Sequence, residues 1–551
     1  MAQLSSAGRQ SARWRVALNT AIVMVGTLLS RALGVVREAI YSRQFGTGPE
    51  FGAFRATFTI LDMLYLVIIG GALGSALIPV FSRLIHEQEQ DRAWELANTV
   101  LTLAFVAFTA LAALVAIFAR PLLTLTVAVG YVEQTELIDL SVHLMRLMLV
   151  QPLLLGLGGL MMALLQSFER FTLPAIAFNV YNLAIIAAAA LLAPRYSDPR
   201  AAVESLAWGV MAGALLYLLV QLPGVIKAGL RFRPTLHWRM PEVQRIGRLL
   251  APRLLGQSAL QINIIVMIAL IGLLSPSAQA ANGYAYQLLM LPHGILAISM
   301  GTVMFPRLTR LFAAGQIVEL RAAALETLRL VLWLTVPAAV LLAVLHVPIV
   351  RLLFQGGKFD EESLRLTGRA LLFYTPGAIG LAGAEIVIRT FYAMEDTRTP
   401  VTVGVLTIAL NAALAYNFIR VIPDIGLVAL SYSLTNLLEF GVLFVILLVR
   451  LRRLSAGASQ QQPSLIGRAA LTIGASTLGL LLTALGLMRV SSAYVPGLDY
   501  NSAYGRGADF FVLTGWLALA GGLSFGVYLL ISGLLRAPEI RQVWALARRR
   551  K

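Results

Sequence analysis

The chain has no cysteine among 551 residues, so disulfides and thiolate metal sites are excluded. It is also poor in charge: only 13% of its residues are Asp, Glu, Lys or Arg, and acidic residues number 27 against 44 basic ones. That is too little polar surface for a large soluble domain. Other absences narrow the function. The sequence has no Walker loop, Rossmann fingerprint or metal-binding motif, which argues against nucleotide hydrolysis, dinucleotide chemistry and a resident metal, and no cofactor is expected. Period-two alternation over segments of about ten residues is missing, which excludes an outer-membrane barrel. No cleavable signal is apparent, because the first apolar run is long, follows Arg13 and Arg15, and lacks a small-residue cleavage site.

What fills the chain instead is hydrocarbon. Hydrophobic residues make up 58% of it, in apolar runs of about 20 residues, the length that crosses a bilayer as a helix. The expectation is an all-α polytopic membrane protein. About fourteen spans are read near residues 17–44, 52–84, 96–118, 140–166, 174–193, 202–225, 246–274, 280–305, 324–350, 367–392, 401–420, 427–449, 466–488 and 509–534. Basic residues cluster in alternate loops, including Arg9, Arg13, Arg15, Lys227, Arg231, Arg233, Arg239, Arg450, Arg452, Arg453 and the tail "RRRK". These loops and both termini are therefore expected in the cytoplasm. The net charge of +17 reads as topology and attraction to anionic membrane lipids, not as nucleic-acid binding.

An internal repeat organises the spans. Pro79, Arg83 and Leu84 recur at one constant offset as Pro306, Arg310 and Leu311, and Glu169 and Pro174 recur as Glu395 and Pro400 at an offset shorter by a single position. The expected organisation is an N-lobe of six spans (1–226), a basic linker (227–244), a C-lobe of six spans (245–453), and a C-terminal helix pair with a basic tail (454–551). Two related lobes around a central cavity are a transporter plan, in which rocking exposes the cavity to each side in turn.

One stretch breaks the apolar pattern: "LLSRALGVVREAIYSRQFG", residues 28–46, carries Arg31, Arg37, Glu38 and Arg43. A charge at the bilayer centre costs about 2.5–3.5 kcal/mol on insertion scales, so such groups face a wet cavity or a partner. Arg31 and Glu38, nearly two turns apart, lie on one helix face. Two readings stay open. Arg31 and Glu38 form a structural pair, while Arg37 bonds backbone carbonyls and Arg43 reaches the interface; or Arg31 and Arg37 bind an anion, for which the planar guanidinium fork suits phosphate oxygens.

"SRALGVVREAIYSRQFG", "GGALGSALIPVFSRL", "QSFERFTLPAIAFNVYN", "APRLLGQSALQINIIV", "YAYQLLMLPHGILAISMGTVMFPRL" and "LFQGGKFDEESLRLTGRAL" resemble, in order, the motifs of the MurJ/MviN lipid II flippases of the multidrug, oligosaccharidyl-lipid and polysaccharide exporter superfamily. The resemblance covers about residues 17–450. It implies fourteen helices in a bacterial inner membrane, the last two forming a groove for a lipid tail. The cargo it implies is an undecaprenyl-diphosphate-linked disaccharide pentapeptide, moved from the cytoplasmic to the outer leaflet in peptidoglycan and cell-wall biogenesis. The family's first-helix arginines map onto Arg31 and Arg37 and its neighbouring acid onto Glu38.

The chain also departs from the pattern. Gly52 stands where well-known members carry an aspartate, Tyr65 where they carry an arginine, and Gln287 where many have another. Arg55 either substitutes for a missing cation or sits at the interface, and Asp62 is expected to pair with a cavity arginine. The expected substrate-binding set is thus Arg31, Arg37, Glu38, Arg55, Asp62 and Gln287. Alternatives are an exporter of another polyprenyl-linked oligosaccharide, a cation-coupled drug exporter, or a polyprenyl-sugar glycosyltransferase or ligase. The enzyme reading lacks a loop carboxylate beyond Asp499. With no ATP motif, a coupling ion or the membrane potential is the expected driver. Glu385 and Arg389, spaced i, i+4, are expected to pair, Gln261 and Asn263 to bond between helices, and His143 and His293 to be interfacial or core residues.

Overall fold

Long apolar runs must satisfy every backbone N–H and C=O internally once in lipid, and the helix is the element that does so within one segment. The structure, a computed structural model, describes residues 6–68, 74–454, 463–502, 504–505 and 507–540, and these are helical almost throughout. Two polar segments noted in the sequence lie outside the described residues: most of "SAGASQQQPS" and the basic tail 541–551.

The chain packs as two compact units, residues 1–280 and 281–551. The first holds α1 (Ser6–Phe45), α2 (Pro49–Ile68), α3 (Gly74–His86), α4 (Gln90–Ile117), α5 (Ala119–Leu125), α6 (Thr135–Met148), α7 (Val150–Ser167), α8 (Thr172–Ala187), α9 (Pro199–Lys227) and α10 (Pro241–Gly272). The boundary falls within α11 (Pro276–Pro292). The second holds α12 (Ser299–Ala313), α13 (Ile317–Val344), α14 (His346–Phe354), α15 (Glu361–Ala393), α16 (Arg398–Val421), α17 (Ile425–Leu454), α18 (Pro463–Ser491) and α19 (Ala508–Leu534). Among the described residues, 11 helical segments are long and apolar enough to cross a membrane. The other three expected spans fall on α1, on α2 with α3, and on α10. The chain is a multi-pass, all-α membrane protein.

The sequence repeat governs the helix boundaries. α4 and α13 are both 28 residues long, and their first residues, Gln90 and Ile317, occupy equivalent positions of the repeat. The turns preceding them place Gln88 at φ 63° and Gly315, its counterpart in the repeat, at φ 70°. Glu169 (φ 57°) and Glu395 (φ 60°) do the same before α8 and α16. A left-handed residue after a helix terminates it and lets the chain reverse in a few residues, so each repeat turns at equivalent positions of its sequence.

Each unit has its own core. In the first, Leu77, Phe81 and Leu84 of α3 pack with Leu96 and Leu101 of α4 and Leu160 and Leu164 of α7. In the second, Leu328 and Val331 of α13 meet Ile386 and Phe391 of α15 and Leu443 and Leu447 of α17. Helices in lipid associate through close packing of small residues, and "PGAIGLAGAE" supplies them: a Cβ on Gly380 would lie 2.5 Å from the Asn436 carbonyl carbon of α17.

The C-terminal pair is tied to α13 and α14 at both ends of α19. At one end Arg329 of α13 pairs with Glu539 at 2.7 Å. One turn along α13, the Trp333 indole donates to Ser532 Oγ (3.2 Å) in the last turn of α19, Ser532 bonds Ser476 of α18 (2.8 Å), and the Tyr528 hydroxyl donates to the Trp333 carbonyl (2.7 Å). At the other end Arg351 of α14, 0% exposed, donates to the carbonyls of Ser502 (2.8 Å) and Asp499 (3.1 Å) in the α18–α19 loop. It also pairs with Glu361 at 3.2 Å.

Candidate anion-binding site

The charged stretch of α1 becomes a site through the hairpin that follows it. Gly46 turns the chain with φ 57°, and Pro49, whose missing N–H costs nothing at a helix start, opens α2. Glu38 lies seven residues before the end of α1 and Arg55 six residues after the start of α2, so the antiparallel return brings them level. Glu38, 3% exposed, accepts from Arg37 Nη2 at 3.1 Å on one carboxylate oxygen and from Arg55 Nη2 on the other. One buried carboxylate thus holds two guanidiniums.

Neighbouring groups fix the cluster. Tyr41 lies beneath both cations, its ring centroid 5.7 Å from the Arg37 guanidinium and 5.9 Å from that of Arg55. Phe51 faces Arg55 at 4.9 Å and stacks on Phe45. Such faces attract cations through the ring quadrupole. From α8, Asn182 accepts from Arg37 Nη1 at 3.3 Å, while its amide nitrogen donates to Ser30 Oγ (3.3 Å) and the Phe178 carbonyl (3.1 Å). Asn179, one turn earlier, donates to the Gly26 carbonyl at 3.3 Å. The two asparagines of "FNVYN" therefore lace α8 to α1 and aim the Arg37 fork. They are candidate site residues that the charge pattern did not flag, although an asparagine on an apolar helix was the available signal.

Asp62, two turns beyond Arg55 on α2, lies within electrostatic reach of Arg37 but forms no ion pair among the described residues. Arg31 is exposed and has neither hydrogen bond nor ion pair among them. Its distance from Glu38 explains this: seven residues of helix rise about 10 Å, beyond the reach of a direct pair. Arg37, Glu38 and Arg55 thus form the contact cluster, with Asp62 in electrostatic reach of it and Arg31 exposed two turns away. Gln287 belongs to α11 in the second unit, where it is half-buried. Three guanidiniums against two carboxylates leave the first-unit group positive by one charge, and Arg31 is its uncompensated member.

Gly52 has a local physical cause. The turn entering α11 crosses it so closely that a Cβ there would lie 2.0 Å from the Pro276 carbonyl oxygen. No aspartate fits in that position. Elsewhere, Arg389 Nε donates to Glu385 at 2.5 Å as the spacing predicted, and Arg389 also reaches Thr302 Oγ1 at 3.0 Å. His143 stands 3.4 Å from Glu204 on an exposed face, and His293 is buried.

The family model for the lipid II flippase MurJ matches residues 41–500. Among curated proteins, a lipid II flippase MurJ from Burkholderia cenocepacia is 29% identical over 421 residues, covering 75% of this chain and 81% of the relative. Among solved structures, a lipid II flippase MurJ in an inward closed conformation matches with TM-score 0.74 and 20% identity, covering 94% of this chain and 100% of that one. An inward-facing multidrug resistance MATE transporter of the MOP superfamily matches with TM-score 0.64 and 13% identity, over 79% of this chain and 100% of the other.

Proposed function

Since the chain belongs to the lipid II flippase MurJ family, we propose that it carries lipid II, the undecaprenyl-diphosphate-linked peptidoglycan precursor, from the cytoplasmic to the outer leaflet of the bacterial inner membrane by alternating access. It is a transporter, not an enzyme. The observation that carries the reading is the Arg37–Glu38–Arg55 cluster with Arg31 open beside it. A diphosphate needs cations at membrane depth, and guanidinium forks supply them without losing charge on desolvation. Arg31 makes the first contact with the phosphates. Arg37, aimed by Asn182, supplies the second fork, while Glu38 keeps Arg37 and Arg55 together when no cargo is bound. Asp62 balances Arg37 in the empty state.

Only the polar head group requires this path; the prenyl chain stays in lipid. Both termini lie in the cytoplasm, and the membrane potential, worth about 2.3 kcal/mol per elementary charge per 100 mV, drives the net charge carried. Gly52, Tyr65 and Gln287, none of them charged, favour a second reading: the cluster recognises the diphosphate common to polyprenyl-linked oligosaccharides, and another such lipid is the cargo.

The test is rescue of a host depleted of its own flippase, with the leaflet distribution of lipid II as readout. Arg31→Ala and Arg37→Ala should each abolish translocation and cargo binding while the protein still inserts, with Lys restoring part; Arg31→Ala should melt normally, whereas Arg37→Ala should also melt lower because it strips the buried Glu38 of a partner. Binding unaffected by either change would end the anion-site reading. An expressed, folded chain that leaves lipid II in the inner leaflet would transfer the assignment to another polyprenyl diphosphate.

A further inference from the structure

The segment between α9 and α10, "AGLRFRPTLHWRM" over residues 228–240, contains three arginines and no acidic residue, interleaved with Phe232, Leu236 and Trp238. A free basic linker would hide its apolar side chains and leave its backbone in water. Here the reverse holds, because α4 takes the backbone. Asn98 donates from Nδ2 to the Arg231 carbonyl (3.1 Å) and accepts from the Arg233 amide (3.2 Å), as a neighbouring strand would. The Thr235 amide donates to Thr102 Oγ1 at 3.3 Å, the Thr235 and Thr99 hydroxyls bond at 3.0 Å, and His237 meets Glu95 at 2.5 Å. With its backbone held, the segment turns outward: Phe232 is 59%, Leu236 55% and Trp238 58% exposed. Arg231, Arg233 and Arg239 are exposed beside them, and the Arg239 guanidinium lies 5.0 Å from the Trp238 ring centroid.

The bonds to α4 also set the depth. α4 is one of the membrane-spanning candidates, and its uncharged run begins after Glu95. Thr235 is bonded to Thr99 and Thr102, one to two turns inside that run, whereas Glu242, where the segment enters α10, pairs at 2.8 Å with Arg92 in the polar first turn. From Arg92 to Thr102 the helix rises about 15 Å. The segment therefore climbs from the aqueous end of α4 to the hydrocarbon boundary, and its exposed aromatic and aliphatic side chains stand where the acyl region begins. Tryptophan and arginine are the residues that suit such an interface.

We infer that residues 231–239 form a binding site for anionic phospholipid, in which Arg231, Arg233 and Arg239 take headgroup phosphates and Phe232, Leu236 and Trp238 enter the outer acyl layer. A soluble acidic partner would pair the arginines but leave those three side chains without a match. The inference needs only that the strip meets a leaflet containing anionic lipid, and its readouts use no transport, so it stands or falls separately from the cargo assignment.

The cysteine-free chain permits a direct test. Leu236→Cys in the full-length protein, labelled with a solvatochromic fluorophore, should emit at apolar wavelengths in vesicles containing phosphatidylglycerol and be quenched by lipids brominated near the headgroup. In micelles titrated with phosphatidylglycerol, each of Arg231→Gln, Arg233→Gln and Arg239→Gln should weaken the label's response about fivefold, with melting unchanged because none of these side chains holds the backbone. Aqueous emission in both phosphatidylcholine and phosphatidylglycerol vesicles would overturn the inference, as would undiminished affinity in the triple Gln variant. A response reproduced by inorganic phosphate alone would reduce the strip to a general anion site. Shielding that requires the soluble fraction of cells would assign it to an acidic protein, and either result refutes the lipid site.

Discussion

Replacing Glu38 by glutamine keeps the shape of the cluster and removes only its negative charge, so the consequence isolates electrostatics. Glu38 lies 3.1 Å from Arg37 and in direct contact with Arg55; at that separation and an effective dielectric near 20, one such attraction is about 5 kcal/mol. Desolvation already offsets much of that in the native protein. After the change, two guanidiniums remain beside one neutral amide, and the loss expected for breaking a buried pair is about 3–5 kcal/mol. Thermal unfolding of the full chain in micelles should show this as a melting temperature lower by several degrees. The double change Glu38→Gln with Arg55→Gln should recover a large part, because it removes the repulsion along with the attraction. Adding Arg31→Ala instead should recover nothing and act additively, since Arg31 touches neither partner. A Glu38→Gln protein that melts like the native chain would refute the reasoning, and so would recovery by Arg31→Ala.

Gly52→Ala should destabilise by about 1–3 kcal/mol through overpacking against the Pro276 carbonyl, measured by the same unfolding assay; an unchanged curve would mean that the turn into α11 yields freely. Asp396, in the turn between α15 and α16, gives a pH prediction. Burial pushes its carboxyl up, but Thr399 donates from its hydroxyl (2.7 Å) and amide (3.1 Å), Arg450 pairs with it, and the net result lies below the ordinary carboxylate range. A depressed pKa contributes stability above the unfolded value, near 4, that is lost as pH falls through the folded value. Asp396→Asn should therefore lower the melting temperature at pH 7 and flatten its fall between pH 5 and about pH 3, whereas a parallel fall in both proteins would exclude the carboxylate.

The spans and the repeat were legible in the sequence because both are patterns of length and spacing, and hydrocarbon thickness imposes the first directly. Among the described residues, 11 of the expected fourteen spans fall on helical segments long and apolar enough to cross a membrane, and the other three on helices that do not meet that measure as one long apolar segment. The charged residues of α1 were legible for a related reason: charge in an apolar run needs an explanation. Their partners were less so. Helical periodicity places Arg31 and Glu38 on one face but says nothing about the separation along the axis, which keeps them apart. Glu38 instead bonds its sequence neighbour Arg37 and Arg55, which returns on another helix; Asn182 arrives from α8, far along the chain from Arg37. The outward turn of residues 231–239 was likewise hidden, because it depends on α4 accepting the backbone of a segment that composition alone reads as a solvated basic linker.

Arg351 gives the C-terminal pair a mechanical character. With its loop pinned by Arg351 and its other end held by Arg329 and Glu539 and, one turn away, by Trp333 and Ser532, the pair is riveted to α13 and α14 at both ends of α19. A vane fixed at both ends has no free end to swing. The pair therefore belongs to the packing of the second unit, and any motion of that unit would carry α18 and α19 with it as a passenger.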